Sequence, residues 1–304
     1  MAAIDISIII PHLNQLQLLE RCLNSLAPQI LKHPRTEVIV VDNGSAQLPT
    51  SLCSQYPFVK LLTESTRGPG PARNRGISES NGQILALIDA DCVAEENWLK
   101  EIIKIFSKPD VPQVVGGDVR ILYVYPKNLT KLEAYESVFA YRQKEYIEKM
   151  NFSGTGNMAM HRRTFDSVGP FAGIEVAEDR AWGALAHQKG VKIIYDENMI
   201  VFHPARTSFF ELTKKWDRHI AHDFNEVSRS IHGKLSWVFL LVAVAASGIV
   251  DIRKIIATRR ISGMSNRCKA ALILIKVRGY RAGQMARILL KNEDKQTVSW
   301  NRGQ

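Results

Sequence analysis

Residues 6–14 read ISIIIPHLN, and residues 37–45 read EVIVVDNGS. Each opens with a β-branched apolar run that is continuous rather than alternating, the pattern of a parallel strand covered on both faces. About thirty residues separate them, the length of one βαβ crossover. Between them Leu16, Leu19, Leu23 and Leu26 recur at helical spacing and predict one amphipathic helix, which Pro34 punctuates. Working outward, Val59–Leu62 predicts a third strand, Pro71–Ser80 a helix entered at proline, and Ile84–Ile88 a fourth strand. Val191–Tyr195 and Met199–Phe202 read as two later strand-like segments, preceded by a helix over Arg180–Lys189 that Gly190 ends. The order predicts an α/β domain on an open, mostly parallel sheet.

Composition agrees. The chain has 304 residues, 45% hydrophobic and 23% charged, which excludes collagen-like, disordered and disulfide-scaffold classes. Its length suggests about two units. Cys22, Cys53, Cys92 and Cys268 are too far apart for a zinc motif and suggest no disulfide framework, so a reducing compartment is expected. The opening MAAIDISIII has no basic n-region and no small-residue cleavage site, and is not expected to be a signal peptide.

The net charge of +10 is unevenly divided. Residues 205–304 hold 19 Lys and Arg against 7 Asp and Glu, whereas residues 1–204 hold 21 against 23. A basic C-terminal region suggests an anionic partner. Within it, the sixteen residues Leu235–Val250 carry no charge, just short of the roughly 18–20 of a spanning helix. Arg253, Lys254, Arg259 and Arg260 follow, then apolar Ala270–Ile275 and the basic Lys276, Arg278, Arg281 and Arg287. Apolar blocks rimmed by basic residues fit a helix in the lipid interface, or one short span with its basic flank cytoplasmic; a buried core helix with solvated neighbours shows the same pattern. Nucleic acid is not expected as a partner, because no zinc-finger, RRM or helix-turn-helix signature accompanies the charges.

In open α/β sheets, ligands bind beyond the carboxyl ends of the strands. The residues there are Pro11–Asn14, then Asp42-Asn43-Gly44-Ser45, then Asp89-Ala90-Asp91. Carboxylates gathered at one edge repel unless a cation or donor lies between them. Asp-x-Asp at a strand end suits a hard ion, Mn²⁺ or Mg²⁺, with positions left for substrate phosphates, although it also serves as a turn or cap. Gly68-Pro69-Gly70-Pro71-Ala72-Arg73 lacks the dinucleotide glycine spacing, but as a helix entrance with Arg73 and Arg75 it can hold a nucleotide by charge. Ser153-Gly154-Thr155-Gly156-Asn157 reads as a turn that lets backbone approach a ligand. Glu178-Asp179 opens a helix, where an acid pair is either a cap or a general base. His203 ends a strand-like segment of the same domain.

In this order the motifs resemble the family-2 glycosyltransferases, inverting enzymes of the GT-A fold. SIIIPHLNQ resembles that family's opening strand and turn, VIVVDNGS its nucleotide-binding strand end, and GPGPARNRGI its Arg-Asn helix entrance. ALIDADC resembles the metal-binding Asp-x-Asp, SGTGNMAMHRRTFDSVGPF the acceptor-side loop, AEDRAWGALAHQKG the catalytic Glu-Asp helix and VFHP the late histidine. The resemblance implies a nucleotide-diphospho-sugar donor with Asp42 on the nucleobase, completed by Pro11 and Arg73; Asn14, Asn74, Ala90, Gly156 and Asn157 belong to the same donor site. It implies Asp89 near the ribose or metal, Asp91 on a Mn²⁺ or Mg²⁺ ion, and His203 as a third ligand or phosphate contact. Asp179 is implied as the base and Glu178 as its positioning partner.

Asn43 and His12 depart from the usual pattern, and neither removes a group the mechanism needs. No Gln-x-x-Arg-Trp signature of processive synthases follows His203, so a single transfer to a lipid-linked or cell-surface glycan acceptor is expected. The expected organisation is a transferase domain over residues 1–206, with a nucleotide half to about 115 and an acceptor half over 116–206. A helical, membrane-associating region over 207–304 follows, which places the protein at the cytoplasmic face of the cell membrane. Two rivals share some of these features: a nucleotidyltransferase, which leaves the Glu-Asp helix without a task, and a non-catalytic basic protein that binds membrane or RNA.

Overall fold

The structure, a computed structural model, describes residues 5–108, 113–226 and 231–291. It begins with β1 (Ile6–His12), α1 (Leu16–Lys32), β2 (Thr36–Asp42), α2 (Thr50–Cys53), β3 (Val59–Thr63), α3 (Pro69–Ser78) and β4 (Ile84–Ile88). There follow β5 (Val93–Ala94), α4 (Trp98–Phe106), β6 (Val114–Leu122), α5 (Lys131–Phe139), α6 (Gln143–Met150) and β7 (Asn157–His161). The chain then runs through α7 (Arg162–Val168), α8 (Glu178–Gln188), β8 (Ile193–Pro204), α9 (Phe209–Glu226), α10 (Ile231–Ala257) and α11 (Met264–Lys291).

One eight-stranded sheet has the order β3-β2-β1-β4-β7-β6-β8-β5. β1 pairs in parallel with β2 and with β4, placing Ile9 beside Ile39 and Leu87. From β4 onward the direction reverses, because β7 lies antiparallel to β4 with Met158 opposite Leu87. Both faces are covered, which is why the first strands are apolar throughout. Ile8 and Ile10 join the core under α1 and α4, while Ile9 points to the opposite core with Ala72, Phe171 and Trp182. Ser7, buried between these residues, is satisfied by donating to Glu37 and accepting from the Gly82 N–H.

Three predicted boundaries differ. The α3 helix begins at Pro69 rather than Pro71, since a first-turn proline lacks only an N–H that the helix does not use. Val191–Tyr195 and Met199–Phe202 merge into the single strand β8, and the polar residues between them are absorbed by a bend in which Asp196 accepts from the Asn198 and Met199 N–H groups. Asn157 belongs to β7 rather than to the preceding turn.

Among the described residues the chain forms two compact units. The first comprises residues up to Arg120 together with Tyr141–His203, and the second comprises Ile121–Ala140 with the residues from Pro204 onward. Residues 121–140, grouped with the acceptor half by the sequence reading, thus join the C-terminal helices. Leu132 and Tyr135 of α5 pack in one core with Leu212, Ile255, Leu274 and Val277, and that core is the physical reason. The predicted region 207–304 extends past the last described residue.

Candidate active site

The first unit gathers its charged residues where the parallel strands end. Arg73, in the first turns of α3, is 3% exposed and donates through one amino group to Asp89 Oδ1 at 2.6 Å. Through the other it donates to Glu178 Oε1 at 3.1 Å. One guanidinium therefore ties the end of β4 to the start of α8, and Glu178 lies 105 residues beyond Arg73 in the chain. Its Nε is buried and has no partner among the described residues.

Asp91 faces a different partner. His203 Nε2 lies 3.1 Å from Asp91 Oδ2 at the end of β8, and the Tyr141 ring lies tilted against the imidazole with ring centroids 4.6 Å apart. Tyr141 holds a left-handed backbone, φ 48°, unusual for a side chain of its size. The two carboxylates consequently titrate apart. Burial and the neighbouring Asp91 push Asp89 above the usual carboxylate range against the pull of Arg73. Burial pushes Asp91 up as well, but the charge and hydrogen bond of His203, with bonds from its own backbone and from Cys92, together outweigh it and hold the group below that range. At the α8 N-terminus burial and Glu178 push Asp179 up, only partly offset by the Arg180 N–H and the charges of Arg180 and Arg73.

Gly156 borders this rim. A Cβ there would sit 2.6 Å from Asp89 Oδ2, so the glycine leaves room for the carboxylate that Arg73 holds. Gly156→Ala is expected to displace Asp89 and lower kcat/KM about a hundredfold, the cost of an ångström-scale misplacement. Thermal unfolding should change little, because the displaced atom is a side-chain tip; steady-state kinetics beside a melting curve check both. The loop before Gly156 is braced by Gln143, which accepts from the Gly154 N–H at 2.9 Å and donates to its carbonyl at 3.2 Å.

Other predicted site residues are placed differently. Asp42 is only 1% exposed. Its carboxylate accepts from His12 Nδ1 at 2.9 Å and from the Gly44 and Ser45 N–H groups at 3.1 and 2.9 Å. Because His12 Nε2 accepts from the Gln15 N–H, the ring proton lies on Nδ1 and points at Asp42. Burial pushes the Asp42 carboxyl up, but hydrogen bonds from Ser45, His12 and Gly44 outweigh it and hold the group low. Three of the acceptor positions of the expected nucleobase contact are thus taken by its own loops, one of them by His12.

Asn14, Asn74 and Asn157, expected at the donor, brace neighbouring segments in the structure. Asn14 accepts from the Ala46 N–H and its own N–H donates to Ser45 Oγ. Asn74 exchanges two hydrogen bonds with the backbone of Phe171. Asn157, 0% exposed, donates to the Asp118 and Met199 carbonyls and accepts from Trp98 Nε1, which leaves its amide no donor for a ligand. Gly117 makes this possible, since a Cβ there would meet the Met199 carbonyl at 2.1 Å and the Asn157 amide at 2.4 Å. Ala90 is buried, and Pro11 is half-buried at the end of β1. Asn43 explains its own departure: its amide donates to the Glu64 and Thr66 carbonyls and accepts from the Gly68 N–H, and an aspartate has no N–H for the first two.

Tyr141 and Gln143 carry no mark in the sequence, because neither lies at a strand end or in a recognisable motif. A cleft of about 560 Å³ at the opposite end of the strands, lined by Asp5, Lys32, Arg35 and Phe106, contains none of the site residues.

A mostly parallel sheet with a paired-carboxylate rim at its strand ends, under a guanidinium clamp, defines a glycosyltransferase of the GT-A class. Residues 7–169 match the family described as Glycosyl transferase family 2. Glycosyltransferase AglE of Haloferax volcanii is 34% identical over 216 residues, covering 69% of this chain and 70% of that one. The chain belongs to glycosyltransferase family 2. Among solved structures, the mannosyltransferase PcManGT from Pyrobaculum calidifontis, in complex with GDP-Man and Mn²⁺, superposes with a TM-score of 0.60 at 15% identity, covering 97% of this chain and 89% of that one. Glucosyl-3-phosphoglycerate synthase from Mycobacterium tuberculosis, in complex with Mn²⁺, UDP and phosphoglyceric acid, gives 0.52 at 17% identity, covering 72% and 77%. At such identities the likeness is one of fold.

Proposed function

We propose that this glycosyltransferase is metal-dependent, inverting and non-processive, and moves one sugar from a nucleotide-diphosphate donor to a lipid-linked or cell-surface glycan acceptor at the cytoplasmic face of the membrane. The observation that carries the reading is the convergence of Asp89, Asp91, His203, Arg73, Glu178 and Asp179 on one rim. The residues fit a divalent ion. The 3.1 Å between Asp91 Oδ2 and His203 Nε2 is close to the edge of an octahedron with bonds of about 2.1 Å, so the pair can become co-ligands by exchanging a shared proton for a cation. No group of three ligating side chains stands ready among the described residues, which suits an ion completed by water and the donor's phosphates. That two fold neighbours were solved with Mn²⁺ supports the same choice of Mn²⁺ or Mg²⁺.

When bound, the ion supplies charge neutralisation to the departing diphosphate. The chain's own residues do the rest. Arg73 fixes Asp89 on the donor side and Glu178 on the acceptor side. Asp179 takes the proton of the acceptor hydroxyl as its oxygen attacks the anomeric carbon opposite the leaving group, which inverts that centre. The upward push on its carboxyl makes it a better proton acceptor than an exposed aspartate. A base is what the nucleotidyltransferase and scaffold readings have no use for. The basic, apolar C-terminal helices supply the attraction to an anionic membrane.

The test is release of nucleoside diphosphate from a panel of nucleotide sugars with Mn²⁺, with and without acceptor lipid. Asp91→Ala is expected to weaken Mn²⁺-dependent binding of the nucleoside diphosphate about a hundredfold or more. Wild-type turnover in that variant would refute the site.

A further inference from the structure

Within the second unit, α10 has two unequal sides. Trp237, Val244, Asp251 and Ile255 are buried in a narrow seam, with Leu241 and Gly248 completing its alternating three- and four-residue spacing. The seam faces α11 along its length: Trp237 Nε1 donates to the Met285 carbonyl, Asp251 pairs with Arg278 and with Lys254, and Arg267 donates to the Ile255 carbonyl. The contacts run in opposite directions along the two chains, so α10 and α11 form an antiparallel hairpin. Between its basic ends, the outer side of α10 is bare and apolar. Leu235, Phe239, Val242, Ile249 and Ile256 are exposed, Phe239 by 78% and Ile249 by 80%, where a water-facing helix carries polar residues.

Such a helix meets lipid either by crossing it or by lying on it, and α11 decides between the two. A crossing α10, 27 residues and about 40 Å long, would carry α11 with it. Lys276, Arg278 and Arg281, near the middle of α11, would then sit at the depth of the hydrocarbon, where central charges are strongly disfavoured. In the structure these charges are served by protein: Lys276 lies over the Phe209 ring, Arg281 over the Trp216 ring, and Arg278 on Asp251. The α5 helix packs on α11 as well, through Leu132 and Tyr135 against Leu274 and Val277. The outer side of α10 is left. Charge identifies its partner: residues 231–291 hold twelve Lys and Arg and a single acidic residue, Asp251, and Lys234, Arg253 and Arg259 are exposed on α10 and just past its end.

We infer that α10 is a monotopic membrane anchor that lies in the plane of an anionic bilayer, its apolar side in the acyl boundary and its basic residues at the headgroups. This deepens the membrane part of the proposed function and is independent of its chemistry. The heptad-spaced Leu235, Val242, Ile249 and Ile256 share one exposed stripe. Single cysteines at these positions, spin-labelled in full-length Cys268→Ser protein, report depth; the other three native thiols are buried. On vesicles of phosphatidylcholine with phosphatidylglycerol all four labels should show one shallow depth, and binding to pure phosphatidylcholine should be at least about tenfold weaker. Phe239→Glu with Ile249→Glu should reduce vesicle binding at least about tenfold with the melting temperature kept. A label at 242 near the bilayer centre, with 235 and 256 at opposite surfaces, overturns the inference in favour of a span. Absence of vesicle binding, equal binding to both lipids, or a discrete dimer that excludes lipid overturns it too. In each of those cases nucleoside diphosphate release by the same protein still reports separately on the transferase reading.

Discussion

Asp179→Asn is expected to leave nucleoside diphosphate binding within about twofold of wild type and to cut sugar transfer by about 10³-fold, within the 10²–10⁴ range of a positioned base. The amide keeps the shape of the side chain and can still accept from the Arg180 N–H, a contact of 2.7 Å in the wild type. What it loses is the capacity to take a proton. The donor side, Asp89 and Asp91, is held by Arg73 and His203 rather than by Asp179, so metal and diphosphate should bind unperturbed. Calorimetric titration of the nucleoside diphosphate beside single-turnover transfer separates the two effects. Equal transfer rates in the two proteins would remove Asp179 from the chemistry.

The same variant makes a prediction about stability. The folded-state carboxyl of Asp179 is raised above its ordinary value by burial and by Glu178. A raised acid contributes stability that is complete below the unfolded value, near 3.8, and is lost as pH rises through the folded one. Above the folded value the ionised Asp179 therefore burdens the fold, and Asn should melt higher than wild type there. That advantage should vanish below pH of about 4, where both are neutral. A residue that lowers stability while being essential for turnover is the signature of a functional site. The pH profile follows the same sign, with the acidic limb of kcat/KM lying above that of an exposed aspartate and disappearing in the variant.

The architecture was more legible than the site. Ile6–Ile10 and Glu37–Val41 announced buried parallel strands because burial on both faces removes polar alternation, and the βαβ interval between them fixed their direction. β6 and β7 were not announced. NMAMH is short, and VVGGDVRIL carries Gly116 against the Ser153 and Ile147 side chains and Gly117 against the Met199 carbonyl, so neither shows a strand's usual composition. Carboxylates at strand ends could be found because ionised side chains need a cation or donors, and Asp89, Asp91 and Glu178 do have them. Polar amides gave no such discrimination. Asn14, Asn74 and Asn157 sit in the same motifs as the charged residues, yet an amide suits a buried carbonyl as well as a ligand, and only the packing decides. Asp42 differs from Asp89 for a local reason: His12 stands beside it and donates to its carboxylate.

Arg73 should produce the second large effect, and it tests how donor and acceptor halves of the site are joined. Arg73→Met keeps most of the apolar stem and removes the guanidinium, leaving Asp89 and Glu178 without the cation that both share. Because Asp89 and Glu178 keep some contact with solvent, at 37% and 20% exposure, they can be partly rehydrated. The cost in stability should therefore fall below the 3–5 kcal/mol of a fully buried pair, at about 1–3 kcal/mol. Turnover should drop about a hundredfold or more, since two side chains lose their positions together. Arg73→Lys should recover part of the stability and little of the rate, because an ammonium is a point charge and cannot hold two carboxylates in fixed directions. Adding Glu178→Gln to Arg73→Met removes the carboxylate left unpaired and should restore about 1 kcal/mol of stability with no gain in transfer. Denaturant melts and kinetics of wild type, Arg73→Met, Glu178→Gln and the double variant close the cycle. Strict additivity in stability would mean that the 3.1 Å contact between Arg73 and Glu178 carries no energy, and the joining of the two halves would then have to lie in Asp89 alone.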